Sequence, residues 1–500
     1  MNIKRAKREI TDSIEAYLKK DEQGEYVIPS IRQRPILLMG PPGIGKTQIM
    51  EQVARECGIA LVAYTITHHT RQSAIGLPFI KEKEYGGKKY SVTEYTMSEI
   101  IASVYDKMEQ TGLTEGILFI DEINCVSETL APAMLQFLQC KTFGNRKVPD
   151  GWIIVAAGNP PEYNKSVREF DVVTLDRIKM IEVEENYDVW REYAYRAGIH
   201  PAIMSYLDIR REYFYRVETG VDGKMFATAR GWEDLSELLT VYELLGKKAD
   251  REVVHQYIQH WKIAKDFAVY LELYEKYKKD YGLEKILEGA YGKDILEKLR
   301  YASFDERLSV VGMLIGKLSG RFKECFLTDR FVTMLFMRIR EYKDSGNLSK
   351  VCKGAQEEYE GLRKGEQLTK EQDGIYRQVI ETLERYQFFT ARDHMGKEEE
   401  FLAVKAEFQK EVEKRELLFE QMGDSLDHAF DFMEDAFGDS QEMVSFVTEL
   451  NTNFYSVQYL KENDCDKYYR YNKKLLSLEQ RTSILEEMDE VETELNTALK

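Results

Sequence analysis

The stretch ILLMGPPGIGKTQIMEQVAREC, residues 36–57, decides the fold. Its first four residues are apolar, its middle is glycine-rich, and its remainder repeats apolar positions at helical spacing. Strand, tight loop and helix in that order are the setting in which a loop can wrap phosphate groups. Gly40, Gly43 and Gly45 permit positive φ angles, so successive N–H groups can turn inward at a helix N-terminus. Gly40, Pro41, Pro42, Gly43, Ile44, Gly45, Lys46 and Thr47 are therefore the expected nucleotide cradle. Lys46 would neutralise the β- and γ-phosphates, and the Thr47 hydroxyl would ligate Mg²⁺.

Further apolar, β-rich runs follow on the C-terminal side: ALVAYTI at 60–66, GILFI at 116–120, WIIVAAG at 152–158 and KMIEVE at 179–184. Separated by helical stretches, they predict an α/β P-loop NTPase core with a parallel sheet. ILFIDEIN, residues 117–124, delivers Asp121 and Glu122 to the C-terminal edge of a buried strand, where ligands bind in open α/β sheets. Asp121 is the expected Mg²⁺ partner and Glu122 the base that activates water. WIIVAAGNP ends in Asn159, whose amide can both donate and accept, and so orient a water or touch the γ-phosphate.

Composition sets the outer limits. The chain has 500 residues with 70 Lys and Arg against 87 Asp and Glu, a net charge of −17 that opposes phosphate-backbone binding and leaves open only a local basic groove. No apolar run approaches the ~20 residues of a membrane span, and the start MNIKRAKREITDSIEAYL lacks a signal peptide's apolar segment, so a cytoplasmic protein is expected. The six cysteines form no CxxC pair and are expected to be reduced and mostly buried. All ten prolines lie at or before Pro201, which predicts an α-helical lid and a mostly α-helical C-terminal region after the sheet.

The loop GPPGIGKT, the acidic pair and the polar residue ending the next strand resemble an AAA+ ATPase. Residues of roughly 30–245 are similar to its MoxR group. In RQSAIGLPFIKEKEYGGKKYSVTEYTMSEIIASVYDKM, two β-rich runs flank Gly86-Gly87 and resemble the hairpin inserted into the second helix of such modules. ETLAPAMLQFLQCKTFGNRKVPDGW looks like the helix and pre-sensor hairpin of the group; both hairpins face the central pore in such rings. TLDRIKMIEV at 174–183 is similar to the group's LDRF segment, with Ile178 in place of Phe. The resemblance makes Arg177 the arginine finger offered to a neighbouring subunit, with Arg168 as the alternate. ATARGWEDLSELL at 227–239 resembles the sensor 2 segment, with Ala229 in place of Pro; this makes Arg230 a γ-phosphate contact. The expected division is a nucleotide-binding core over 1–185, a lid and extension over 186–282, and a helical domain over 283–500.

Competing chemistries lack their signatures. NKSV at 164–167 has no Asp of a guanine-reading NKxD, and KLSGRF at 317–322 is not the LSGGQ of transporter ATPases, so ATP is the expected nucleotide. His255 and His260 are five apart and His68-His69 adjacent; all four are expected to be structural. Beyond the resemblance, Phe401, Val404, Phe408, Val412, Phe419, Met422, Leu426, Phe430, Met433 and Phe437 recur at helical steps through an acidic stretch. They make either a stripe packed on the protein's own core or a docking surface. FVTELNTNFYSVQYLKENDCDKYYRYNKKLL, at 446–476, fits a contact surface and a Tyr-rich core equally well. The resemblance implies a ring of six subunits and chaperone-like remodelling of a client protein, with von Willebrand factor A-domain proteins as usual companions. The alternatives are a nucleotide-gated assembly scaffold and a nucleic-acid motor.

Overall fold

The structure, a computed structural model, describes residues 1–68, 71–143, 146–163, 170–220, 223–392 and 396–476. It divides into two compact units. The first comprises Met1–Val189, Thr228–Arg230 and Ser349–Ile380, and the second Trp190–Ala227, Gly231–Leu348 and Glu381–Lys500.

The first unit is built on strands β1 (Ile36–Met39), β2 (Ala60–Thr65), β5 (Gly116–Asp121), β8 (Trp152–Gly158) and β9 (Lys179–Glu182). They run parallel in the order β2-β5-β8-β1-β9. The alternation of strand side chains splits the core into two layers. Leu37, Leu118, Ile120, Ile154 and Ala156 face one way, towards Ile100, Ile101, Met134 and Phe137. Ile36, Leu38, Ile117, Phe119, Ile153 and Val155 face the other, towards Ile10, Ile14, Met50 and Val53. Both faces are covered, which is why β8 is buried at every residue and reads as a continuous apolar run.

Two hairpins leave this sheet where they were expected. Strands β3 (Pro78–Tyr85) and β4 (Lys88–Tyr95) pair antiparallel across Gly86-Gly87, whose φ angles of 58° and 76° suit a tight two-residue turn. Most of their side chains are exposed. The short strands β6 (Thr142–Phe143) and β7 (Arg146–Lys147) follow the helix Ala131–Cys140. Ser349–Ile380, from the helix Leu348–Lys364 into the first half of the helix Lys370–Arg392, also belongs to this unit, with Lys107 Nζ 2.7 Å from Glu366 and the Gln367 amide donating to Gly58 O at 3.4 Å.

Among its described residues the second unit is helical apart from strands β10 (Arg216–Gly220) and β11 (Gly223–Ala227), a hairpin that the sequence reading did not anticipate. Helices Pro201–Ile209, Ala229–Leu244 and Trp261–Tyr281 meet on an aromatic cluster, with Tyr206 and Trp232 5.0 and 5.3 Å from Phe267 between ring centroids. A 42-residue helix, Phe304–Ser345, packs against Lys397–Phe437, Gln441–Thr452 and Phe454–Glu462. Val404, Met422, Leu426, Phe430 and Met433 are buried there and the other five residues of the apolar stripe are half-buried; Tyr455, Tyr459 and Tyr468 are buried as well. Under them lies a charged cluster, with Arg191 Nη1 2.7 Å from Glu449 and 3.3 Å from Asp208. Three of the six thiols are buried, Cys325, Cys352 and Cys465, fewer than expected; Cys140 is exposed. No described helix is long and apolar enough to cross a membrane.

Gly116 begins β5 where an added Cβ would come within 2.7 Å of the Trp152 ring and 2.8 Å of Ala60 O. Gly116→Ala is expected to lower stability by about 1–3 kcal/mol. At Gly354, in a helix with nothing within 4 Å, the same change should raise it by up to about 1 kcal/mol. Thermal melts of the two variants check the contrast.

Candidate functional site

The sheet order puts three chain segments side by side at one edge. β8 lies between β5 and β1, so Asn159, just past β8, sits between the end of β5 and the loop that leaves β1. That loop runs from Gly40 through Pro41, Pro42, Gly43, Ile44 and Gly45 into the helix Lys46–Cys57. Gly43 and Gly45 adopt φ of 74° and 89°, as the motif requires. Gly40 does not share that conformation and has another reason to be glycine: a Cβ would lie 2.5 Å from Val183 O.

Lys46 is 8% exposed. Its ammonium donates to Gly40 O at 2.8 Å, Pro41 O at 2.7 Å and Asn159 Oδ1 at 2.9 Å. Burial pulls its pKa down to about 8; the nearby Asp121 and Glu122 charges oppose the shift and the Arg230 guanidinium adds to it. The Thr47 hydroxyl donates to Asp121 Oδ2 at 3.1 Å. A hydroxyl and a carboxylate so close are hard oxygen donors of the kind Mg²⁺ accepts while keeping several waters, so the residues present fit that ion.

Asp121 ends β5, and its other oxygen accepts the Glu122 N–H at 2.9 Å. Glu122 then takes a left-handed conformation, φ 58° and ψ 36°, which non-glycine residues adopt only where the surroundings impose it. This turns its half-buried carboxylate away from the strand direction and keeps it near enough to Lys46 for the charges to interact. The short 3₁₀ turn that follows carries Asn124, 2% exposed, which the sequence reading passed over. Its amide donates to Asn159 O at 2.8 Å and accepts the Asn159 N–H at 3.4 Å. The available signal was a second amide three residues beyond Asp121, in DEIN.

The two arginines part company. Arg230 begins the helix Ala229–Leu244, and its N–H donates to Gly43 O at 3.3 Å. Thr228 and Arg230 lie where a Cβ on Gly43 would touch them, at 3.2 and 3.5 Å. Arg177 is elsewhere. Lys179 pairs with Ile36 at the start of β1, so Arg177 precedes the N-terminal edge of the sheet, about 13 Å of strand away from the loop that follows Met39. It is exposed and donates to Gln139 at 2.6 Å. Ile178 beside it is buried in the core. Arg168, NKSV and His69 lie outside the described residues. His260 caps the helix Trp261–Tyr281 and sits 3.2 Å from Glu218. Among the described residues no cluster of His, Cys, Asp and Glu is arranged to hold a metal by itself.

Residues 36–174 match the model of the ATPase family associated with various cellular activities (AAA). No curated protein matches the chain. Among solved structures, a RuvB mutant from Thermotoga maritima is similar at 14% identity and a TM-score of 0.25, covering 40% of this chain and 51% of its own. A protein described as an ATPase from Cytophaga hutchinsonii ATCC 33406 is similar at 17% identity and a TM-score of 0.21, covering 37% of this chain and 52% of its own. The match therefore spans about half the length of those chains.

Lys46 must be protonated to hold phosphate. Burial lowers its pKa to about 8, so ADP affinity measured by calorimetry without divalent metal should be level between about pH 7 and 8, where the ADP phosphates stay ionised. Above it, affinity should fall roughly tenfold per pH unit.

Proposed function

We propose that the chain is a Mg²⁺-dependent ATPase of the MoxR-like kind that assembles into a ring and uses turnover to remodel a partner protein. The observation that carries the reading is the buried Lys46 ammonium, held by two loop carbonyls and Asn159 beside the Thr47–Asp121 pair.

In this reading the backbone N–H groups of Gly43 to Thr47 receive the β-phosphate, and Lys46 exchanges its loop carbonyls for β- and γ-phosphate oxygens. Thr47 and Asp121 would hold Mg²⁺, which when bound neutralises charge on the phosphates. Glu122 orients a water and takes its proton as the water oxygen attacks the γ-phosphorus and the bond to the β–γ bridging oxygen breaks. Asn159 and Arg230 contact the γ-phosphate from two sides. Arg177, on the far edge of its own sheet, serves a neighbouring subunit's nucleotide, so hydrolysis requires assembly.

The proposed division is a core over 1–185, a lid with its extension over 186–282 and a C-terminal domain over 283–500. The family match to 36–174 supports the first. The proposed assembly is a cytoplasmic hexamer, and the proposed client is a protein, with a von Willebrand factor A-domain companion as the first to try. Net charge of −17 weighs against a nucleic-acid client.

ATPase rate per chain should climb steeply with protein concentration, and Arg177→Ala should cut it by roughly 10³-fold without weakening ATP binding. A concentration-independent rate retained by the variant would exclude a shared site. Glu122→Gln should bind ATP normally and turn over roughly 10²–10⁴-fold more slowly. Full function of that variant in cells would favour a nucleotide-gated scaffold over a motor.

A further inference from the structure

We infer that Asn124 is a positioning residue of ATP hydrolysis, clamping both backbone polar groups of Asn159 so that the Asn159 amide is held in place against Lys46. The inference rests on the ATPase reading above.

Four observations carry it. Asn124 is 2% exposed and satisfies Asn159 N–H and C=O with one side chain, at 3.4 and 2.8 Å. The clamped residue's own side chain reaches Lys46 at 2.9 Å. β8 ends in Gly158, where a Cβ would lie 2.7 Å from Asn124 Oδ1 and 2.9 Å from its Cγ, so the strand end is shaped to admit that amide. Finally, Asn124 stands in the 3₁₀ turn that Glu122 opens in its left-handed conformation. The contacts close a ring: Lys46 to Asn159, Asn159 to Asn124, Asn124 along its turn to Asp121, and Asp121 to Thr47, next to Lys46. When Lys46 turns to phosphate it releases Asn159 Oδ1, and the Asn124 clamp keeps that freed amide in register with the turn bearing Glu122. Displacement of about 1 Å at such a point costs roughly 10²-fold in rate.

The clamp demands a neutral donor and acceptor on one planar group, which an amide supplies. An ionised carboxylate of the same shape accepts from the N–H but cannot donate to the C=O. A protonated carboxyl can do both. Asn124→Asp should therefore lose kcat at pH 7 and recover it, relative to wild type at the same pH, as pH falls through the introduced group's pKa. Asn124→Leu should lose kcat by roughly 10- to 100-fold across that whole range. ATP affinity, read separately by calorimetry, should change less than threefold in both. Steady-state kinetics at pH 5 to 7, with thermal melts to confirm folding, make the test. If Asn124→Leu does not fold, the pH profile of Asn124→Asp decides alone. Kcat within twofold of wild type in Asn124→Leu, or a ratio to wild type that stays flat with pH in a folded Asn124→Asp, would overturn the role. An inactive wild type would instead overturn the ATPase reading, and this role with it, before any variant is compared.

Discussion

A lysine ammonium buried beside a sheet edge must be surrounded by oxygen, and the nucleotide-binding half of this molecule is arranged around that need. Lys46 finds its oxygens in Gly40, Pro41 and Asn159. Two come from its own loop, which must double back on itself and does so through left-handed glycines at 43 and 45. The third comes from a different strand, and it is in reach because β8 is inserted between β5 and β1. Strand order and loop conformation are thus answers to one electrostatic requirement. The same burial keeps the ammonium poised to prefer a polyanion over the carbonyls it rests on.

Much of this was legible in the sequence, for a physical reason. A loop that wraps phosphate depends on local backbone geometry, so GPPGIGKT carries its own evidence, and a strand buried on both faces announces itself as ILFI or WIIVAA. Tertiary pairings leave weaker traces. Asn124 is one polar residue in a short turn, and nothing local says that Asn159 stands opposite it. Gly40 was correctly placed in the loop for the wrong reason, because the backbone it must avoid, Val183, is 143 positions away in sequence. The hairpin of β10 and β11 escaped notice because RVETG and GKMFA are short and neither alternates apolar with polar residues along its length. The return of Ser349–Ile380 to the first unit depends on contacts such as Lys107–Glu366 that leave no periodicity in sequence.

The second unit answers its own packing problem differently. Helices rather than a sheet bury the apolar surface, and the aromatic cluster around Phe267 supplies large faces with few rotors to fix. Glu449 is nevertheless placed inside, where burial and Asp208 push its pKa up to about 7 while Arg191 and the Tyr195 hydroxyl hold it down. A charge in such a place is held by its partners and ties together three helices that hydrophobic contact alone would let slide.

The hairpin of β3 and β4 has a consequence for how the protein behaves in a crowded solution. Two eight-residue strands joined by a two-residue turn present an unpaired hydrogen-bonding edge on either side, and Phe79, Ile80, Tyr85 and Tyr90 are exposed along them. Such a ribbon is a template on which another strand could add itself. Lys81, Lys83, Lys88 and Lys89 are set among those apolar side chains, with Lys83 2.5 Å from Glu94 across the ribbon. An incoming strand would have to strip water from these charges along its whole length, so the ribbon can keep its side chains exposed without seeding aggregates.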